Sequence, residues 1–323
     1  TRRSMNARTL PVAQAKYLLP ASLREAADMA AQHPGSFRYV AGGTDVLVNR
    51  FQGNEASTCL IDLGRIPALK GIARVDGHLR IGSLETLDRL MKHPLVLADA
   101  PMLAEAARSV GAPLLRKTAT IGGNVLCENR CLYYNQSEWW RESVGYCLKC
   151  NGDICIATGG RNACFSELVS DTAPALIALD AEIEYTDGEA VMRTPLERIY
   201  TGDGVAPRNI PPAAIVTALW LPLGRGFTWA FRKLRERQSL EFTSLTTAMT
   251  LDSGGRIKIA MVGVDPRPVV VEAAATDDPE ALVRKAIKGA RAIDNDMFTR
   301  LYRREMIGVY LRDSFNTVTA ARM

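Results

Sequence analysis

The period of apolar positions changes several times along the chain, and each change marks an element. From Pro20 to Gln32 the spacing of Leu23, Ala26, Ala27, Met29 and Ala30 places one apolar stripe on a short helix entered near Ser22. Phe37 to Ala41 and Thr58 to Asp62 are short apolar runs bounded by turn residues and read as strands, so the opening 65 residues predict a small α/β unit. His78 to Gly82 reads as a strand, Leu84 to Met91 and Met102 to Val110 as helices, Ala173 to Leu179 as a helix and Ala181 to Tyr185 as a strand. The Gly/Pro-rich passage from Thr201 to Pro212 reads as a linker. Beyond it, Ala214 to Leu221, Thr228 to Leu234, Thr243 to Leu251 and Ile257 to Val264 predict four strands of an antiparallel sheet, followed by helices over Pro279 to Ala292 and Asp296 to Val318.

A length of 323 residues with 47% apolar and 23% charged positions suits two globular domains, or one large domain with appendages. The net charge of +5 is a poor electrostatic footprint for nucleic acid, and none is expected as a partner. The longest apolar stretch, Ile210 to Gly224, is interrupted by Pro211, Pro212 and Pro222, which excludes a bilayer span there. Lys16, Pro20 and Arg24 break up the segment in which an export signal would lie, so a cytoplasmic protein is expected, its first domain starting at Met5. The three histidines offer no general base: His33 and His93 directly precede prolines, and His78 lies in the turn Asp76-Gly77-His78. Histidine-based hydrolysis and histidine-ligated zinc are therefore disfavoured.

Six of the seven cysteines (Cys127, Cys131, Cys147, Cys150, Cys155 and Cys164) fall within 38 residues. An odd total without an export signal argues against a disulfide framework and leaves metal ligation or redox exchange. Zinc would call for a second close pair beside Cys147-Leu148-Lys149-Cys150, and there is none. Long irregular gaps between thiolates suit an iron–sulfur cluster. Tyr133, Tyr134, Trp139, Trp140, Tyr146 and Phe165 enrich the same segment in aromatic bulk that would shield such a cluster, while Asn, Gly and Ser interrupt any helical or strand period. Cys59 stands apart and reads as core packing.

Two paired-glycine turns, Gly42-Gly43-Thr44-Asp45 and Gly122-Gly123-Asn124, fall at expected strand ends. Paired glycines let backbone N–H groups approach a phosphate, and two such turns would cradle the two phosphates of a dinucleotide. Neither a Gly-x-Gly-x-x-Gly fingerprint nor a Walker motif is present. Lys233 offers a cation that would stabilise a reduced flavin, although Arg232, Arg235 and Arg237 around it fit a solvated strand face equally well.

Val40-Ala41-Gly42-Gly43-Thr44-Asp45, Thr120-Ile121-Gly122-Gly123-Asn124, Asp171-Thr172-Ala173-Pro174-Ala175-Leu176 and Phe231-Arg232-Lys233-Leu234 occur in this order over nearly the whole chain. The series resembles the FAD-binding motifs of flavoprotein subunits in the molybdenum hydroxylase (xanthine dehydrogenase) family. Cys131, Tyr134 to Arg141, Gly145 to Lys149, Gly152-Asp153, Cys155 and Cys164 resemble the insertion found in the flavin (medium) subunits of one branch, the 4-hydroxybenzoyl-CoA reductases. The resemblance implies an α+β fold: a two-part FAD-binding domain of the vanillyl-alcohol-oxidase/PCMH type over 5–65 and 66–205, an inserted iron–sulfur loop at about 126–166, and a C-terminal antiparallel sheet with helices over 211–323. It implies that Cys131, Cys147, Cys155 and Cys164, separated by 15, 7 and 8 residues, hold a [4Fe–4S] cluster, with Cys127 and Cys150 surplus. It implies FAD contacts from Tyr39, Val40, Ala41, Gly42, Gly43, Thr44, Asp45 and Val46, from Thr120, Ile121, Gly122, Gly123 and Asn124, and from Val110, Asp171, Ile215 or Val216, and Lys233.

The function implied is an electron relay with no catalytic residue of its own. Electrons would pass between ferredoxin, the [4Fe–4S] cluster and FAD, and onward to a small subunit with two [2Fe–2S] clusters and a molybdopterin-binding large subunit. The reaction implied is reductive dehydroxylation of an aromatic acyl-CoA such as 4-hydroxybenzoyl-CoA, in a dimer of heterotrimers; a related N-heterocycle or aromatic acyl-CoA hydroxylase is the nearby alternative. A metal-stabilised, non-catalytic binding module would be colourless. An independent flavin oxidase or dehydrogenase would turn over without partner subunits.

Overall fold

A computed structural model describes residues 15–321; Met5, the expected start of the first domain, lies outside the described residues. The chain builds three sheets in succession. In the first, strand Cys59–Asp62 lies between Lys16–Leu18 and Phe37–Val40, both parallel to it. Helix Leu23–Ala31, capped by the Ser22 hydroxyl, closes one side of this sheet by burying Ala26 and Ala30.

The second sheet is antiparallel, in the order Ile72–Val75, His78–Gly82, Ile215–Pro222, Glu182–Thr186, Val191–Pro195. Its strand Ile215–Pro222 was expected in the C-terminal sheet. Its alternation fits either place, but five of its residues pair with His78–Gly82. The four-stranded C-terminal sheet is completed instead by Val269–Ala274, beside Arg256–Val262, Leu245–Leu251 and Thr228–Leu234. Helices Pro279–Gly289 and Arg300–Ala320 cover that sheet and bury Leu282, Val283, Ile307, Leu311 and Phe315 against it.

Helix Thr172–Ala178 is buried along its whole length and joins the second and third units. Ala173, Ala175, Leu176 and Ile177 share one core with Leu79, Ile81, Leu219, Ala248 and Ala260. A helix buried on every side belongs between two layers. Two further differences from expectation bear on the site. Gly122 and Gly123 lie within a short helix, Ile121–Val125, whose Thr120 hydroxyl accepts from Gly123 N–H at 3.1 Å. The cysteine-rich segment carries a helix, Glu138–Val144, capped by Ser137, where an unbroken loop was expected.

Candidate functional site

The segments expected to hold a nucleotide meet through a continuous series of contacts. Tyr39 donates its hydroxyl to Ala213 O at 3.0 Å, bringing the end of strand Phe37–Val40 against the start of strand Ile215–Pro222. Burial pushes the Tyr39 phenol up to about 12, so it stays protonated and donates. Gly42 packs so closely on the next segment that a Cβ there would lie 1.8 Å from Thr118 O. Gly122 abuts Ser83, where a Cβ would meet Ser83 Cβ at 2.8 Å. Asn124 Oδ1 accepts from the Ser170 hydroxyl at 2.9 Å and the Thr172 hydroxyl at 2.6 Å, fixing the start of helix Thr172–Ala178.

The two glycine motifs are not equivalent. Among the described residues no protein acceptor takes the N–H groups of Gly42, Gly43, Thr44 or Asp45, which lie half-buried just before helix Val46–Phe51. Gly43 has φ +70°, a turn that glycine makes without strain. A run of unpaired, partly buried N–H donors is the donor set that a phosphate requires. In the second motif every N–H is already used: Ile121 donates to Glu85 O, Gly122 to Ser83 O, Gly123 to the Thr120 hydroxyl and Asn124 to Thr120 O. The open N–H donors therefore lie in the first motif, while the second supplies close packing and the Asn124 anchor.

Lys233 is neither solvated nor free. Its side chain is 3% exposed and pairs with Asp171, 4% exposed, at 2.6 Å. Its ammonium also donates to Ser109 O at 3.1 Å, beside Val110, and to Glu241 O at 3.2 Å. The other Asp171 oxygen accepts from the Thr246 hydroxyl at 2.9 Å. Burial pushes the Asp171 carboxyl up despite Lys233. The pair fixes Ser109 and Val110 relative to strand Thr228–Leu234. Val216 is buried in the second sheet.

The Asp45 carboxylate pairs with Arg130 and accepts from Glu128 N–H at 2.9 Å, tying the first glycine loop to the entry of the cysteine-rich insertion. That insertion closes at a two-residue bridge between Arg130 and Glu167. Glu167 in turn pairs with the fully buried Arg303 of the last helix. Arg141, also buried, donates to Gln52 O at 2.9 Å and pairs with Glu138, which holds helix Glu138–Val144 on the first unit.

Cys131, Cys147, Cys155 and Cys164 line one narrow cavity, whose other walls include Tyr133, Tyr134, Phe165 and Lys149. Cys127 and Cys150 are absent from its lining. Cys150 hydrogen-bonds Cys147 and thereby holds the Cys147 thiol below the usual range, whereas burial pushes Cys131 up to about 12. Among the described residues no three His, Cys, Asp or Glu side chains come together as a single-ion site. A zinc ion would need thiolates converging at roughly 2.3 Å on one point, whereas a cluster spreads its ligands over separate irons. The four thiols around this cavity are the residue type that either a zinc ion or an iron–sulfur cluster takes. The expected aromatic shield is partial: Tyr133, Tyr134 and Phe165 wall the cavity, while Trp139 is 66% exposed. Cys59 packs in the first core, as expected.

Sequence reading gave Glu128 and Arg130 no role and carried Arg141 and Lys149 only inside the motifs of the insertion, because the partners that define their roles lie up to 89 positions away.

Residues 12–224 match the family described as FAD binding domain in molybdopterin dehydrogenase. The aldehyde oxidoreductase FAD-binding subunit PaoB of Escherichia coli (strain K12) is 31% identical over 259 residues, covering 77% of this chain and 81% of that one. The putative xanthine dehydrogenase FAD-binding subunit XdhB of the same strain is 29% identical over 191 residues, covering 59% of this chain and 52%, about half, of that one. A chain of carbon monoxide dehydrogenase from Hydrogenophaga pseudoflava has the same fold, with a TM-score of 0.75 at 22% identity over 95% of this chain and 98% of that one.

Proposed function

From its membership of the family of FAD-binding domains in molybdopterin dehydrogenases, we propose that this chain is the flavin subunit of a molybdenum-containing oxidoreductase and carries a [4Fe–4S] cluster besides FAD. The observation that carries the second half is the single cavity walled by Cys131, Cys147, Cys155 and Cys164 and not by the two neighbouring thiols. When bound, the flavin joins one-electron carriers to a two-electron reaction, and the cluster supplies one-electron transfer.

In this reading the open N–H groups of Gly42, Gly43, Thr44 and Asp45 take the pyrophosphate. Tyr39, Val40, Ala41 and Val46 flank it, and Thr120 to Asn124 back it with Val216. Val110 lies on the flavin side, held there through Ser109 by Lys233 and Asp171. Substrate chemistry is assigned in this reading to a partner subunit. The partners proposed are a molybdopterin-binding subunit and a small subunit with two [2Fe–2S] clusters. Ferredoxin is the proposed electron donor, and 4-hydroxybenzoyl-CoA or a related aromatic acyl-CoA the proposed substrate.

Anaerobic purification tests both halves. The expected result is one FAD released per chain on denaturation, together with four irons and four sulfides. FAD without iron or sulfide, even after reconstitution under argon, would overturn the cluster; absence of flavin would overturn the whole reading. Turnover of 4-hydroxybenzoyl-CoA with reduced ferredoxin by the reassembled complex tests the substrate, and a complex that leaves it unchanged while hydroxylating an N-heterocycle would reject it.

A further inference from the structure

The wall of the four-cysteine cavity contains one buried cation, and its bonds lead to the nucleotide loop. The Lys149 side chain is 5% exposed and its ammonium makes three polar contacts: Glu128 at 2.5 Å, Asn129 O at 3.0 Å and the Ser166 hydroxyl at 3.3 Å. The Tyr134 ring lies 4.6 Å below the ammonium, and Tyr134 and Ser166 are themselves walls of the cavity. The Ser166 hydroxyl also lies 3.4 Å from Cys164 Sγ. Lys149 is thus held within one hydroxyl of a thiol, with every donor occupied and no freedom to swing away.

We propose that Lys149 is a positioning residue for the electron-carrying centre of this cavity, a fixed positive charge that favours its reduced form, with Glu128 as the counter-charge that limits the effect. The inference rests on the cluster reading above. Four thiolates around an iron–sulfur cluster make an anionic centre, and reduction adds one more negative charge. A cation beside it in a water-poor wall stabilises the reduced state more than the oxidised one, because charges interact more strongly where water is excluded. Glu128 keeps its negative charge there: burial pushes its carboxyl up, but Lys149 outweighs that and holds it below the ordinary range. Through its backbone N–H the same Glu128 is bound to Asp45 in the open glycine loop. The charge that would tune the cluster is therefore built on the segment that meets the nucleotide loop.

The test is a spectroelectrochemical titration of the anaerobically purified chain, with iron and sulfide measured on each sample. Lys149→Met is expected to make reduction harder by at least tenfold in the reduced-to-oxidised ratio at fixed potential, about 59 mV for a one-electron couple. Lys149→Arg is expected to restore most of that shift. Glu128→Gln, which keeps the backbone bond to Asp45, is expected to shift the couple in the opposite direction. If Lys149→Met fails to take up iron, Glu128→Gln decides alone. Fully loaded variants with the wild-type potential, or shifts of the same sign in Lys149→Met and Glu128→Gln, would overturn the role of Lys149 while leaving the cluster intact. A wild-type chain that binds no iron would overturn the cluster itself.

Discussion

Replacing Lys233 by methionine separates the role expected from the sequence, a cation acting on the flavin, from the one its buried pairing suggests, a strut of the apoprotein. In the structure Lys233 is enclosed by Asp171, Ser109 O and Glu241 O. The substitution leaves a buried carboxylate with the Thr246 hydroxyl as its remaining side-chain partner. Breaking a buried pair from one side costs about 3–5 kcal/mol, a large part of the 5–15 kcal/mol that holds a typical domain together. The loss should appear in urea unfolding of flavin-free protein, and Lys233→Met/Asp171→Asn should recover about 1–3 kcal/mol of it as a coupling energy. The pH dependence has a definite sign. Burial already raises the Asp171 carboxyl, and loss of Lys233 raises it further. An acid whose folded pKa is raised contributes stability that is complete below its unfolded value, about 3.9, and is lost as pH climbs through the folded value. The deficit of Lys233→Met should therefore shrink as pH is lowered from 8 toward about 5. A flavin-free variant destabilised by less than about 1 kcal/mol, with flavin affinity sharply reduced, would refute the strut and return Lys233 to the cofactor.

Other substitutions probe the remaining contacts. Gly42→Ala forces a Cβ to within 1.8 Å of a backbone oxygen, so the open loop must part from Thr118; FAD retention after gel filtration should be lost while the C-terminal sheet, followed by hydrogen exchange, stays protected. Asn124→Ala removes the acceptor for the Ser170 and Thr172 hydroxyls and should cost about 1–3 kcal/mol in denaturant unfolding. Gly152→Ala would set a Cβ 1.7 Å from Tyr146 O, immediately before Cys147, and should abolish iron uptake with FAD content unchanged. Asp45→Ala cuts the insertion loose from the glycine loop, and both iron and flavin content should fall together; loss of one alone would show that the tie through Glu128 and Arg130 is idle.

What the sequence disclosed and what it withheld follow from the range of the interactions involved. Helix Leu23–Ala31 and strands Phe37–Val40, Thr228–Leu234 and Leu245–Leu251 were legible because their apolar period and flanking turn residues are local. The sheet to which Ile215–Pro222 belongs was not, since pairing with His78–Gly82 is decided more than a hundred residues away. Within the candidate site, residue type pointed to glycines and cysteines, whose chemistry is distinctive at any separation. It could not distinguish the open donors of Gly42 to Asp45 from the satisfied ones of Ile121 to Asn124, because that depends on which carbonyls of Ser83 and Glu85 come to face them. The charges were least legible of all. Asp45 was expected only as a nucleotide contact, Lys149 only as part of the insertion motif, and Arg130 and Glu128 had no expected role, yet folding draws them into one chain of contacts between a glycine loop and a thiol-lined cavity. A buried charge persists only when paired. Closing the insertion on Glu167 therefore draws on Arg303 from the far end of the polypeptide, so the cysteine-rich segment is tied to the C-terminal helix as well as to the first glycine loop.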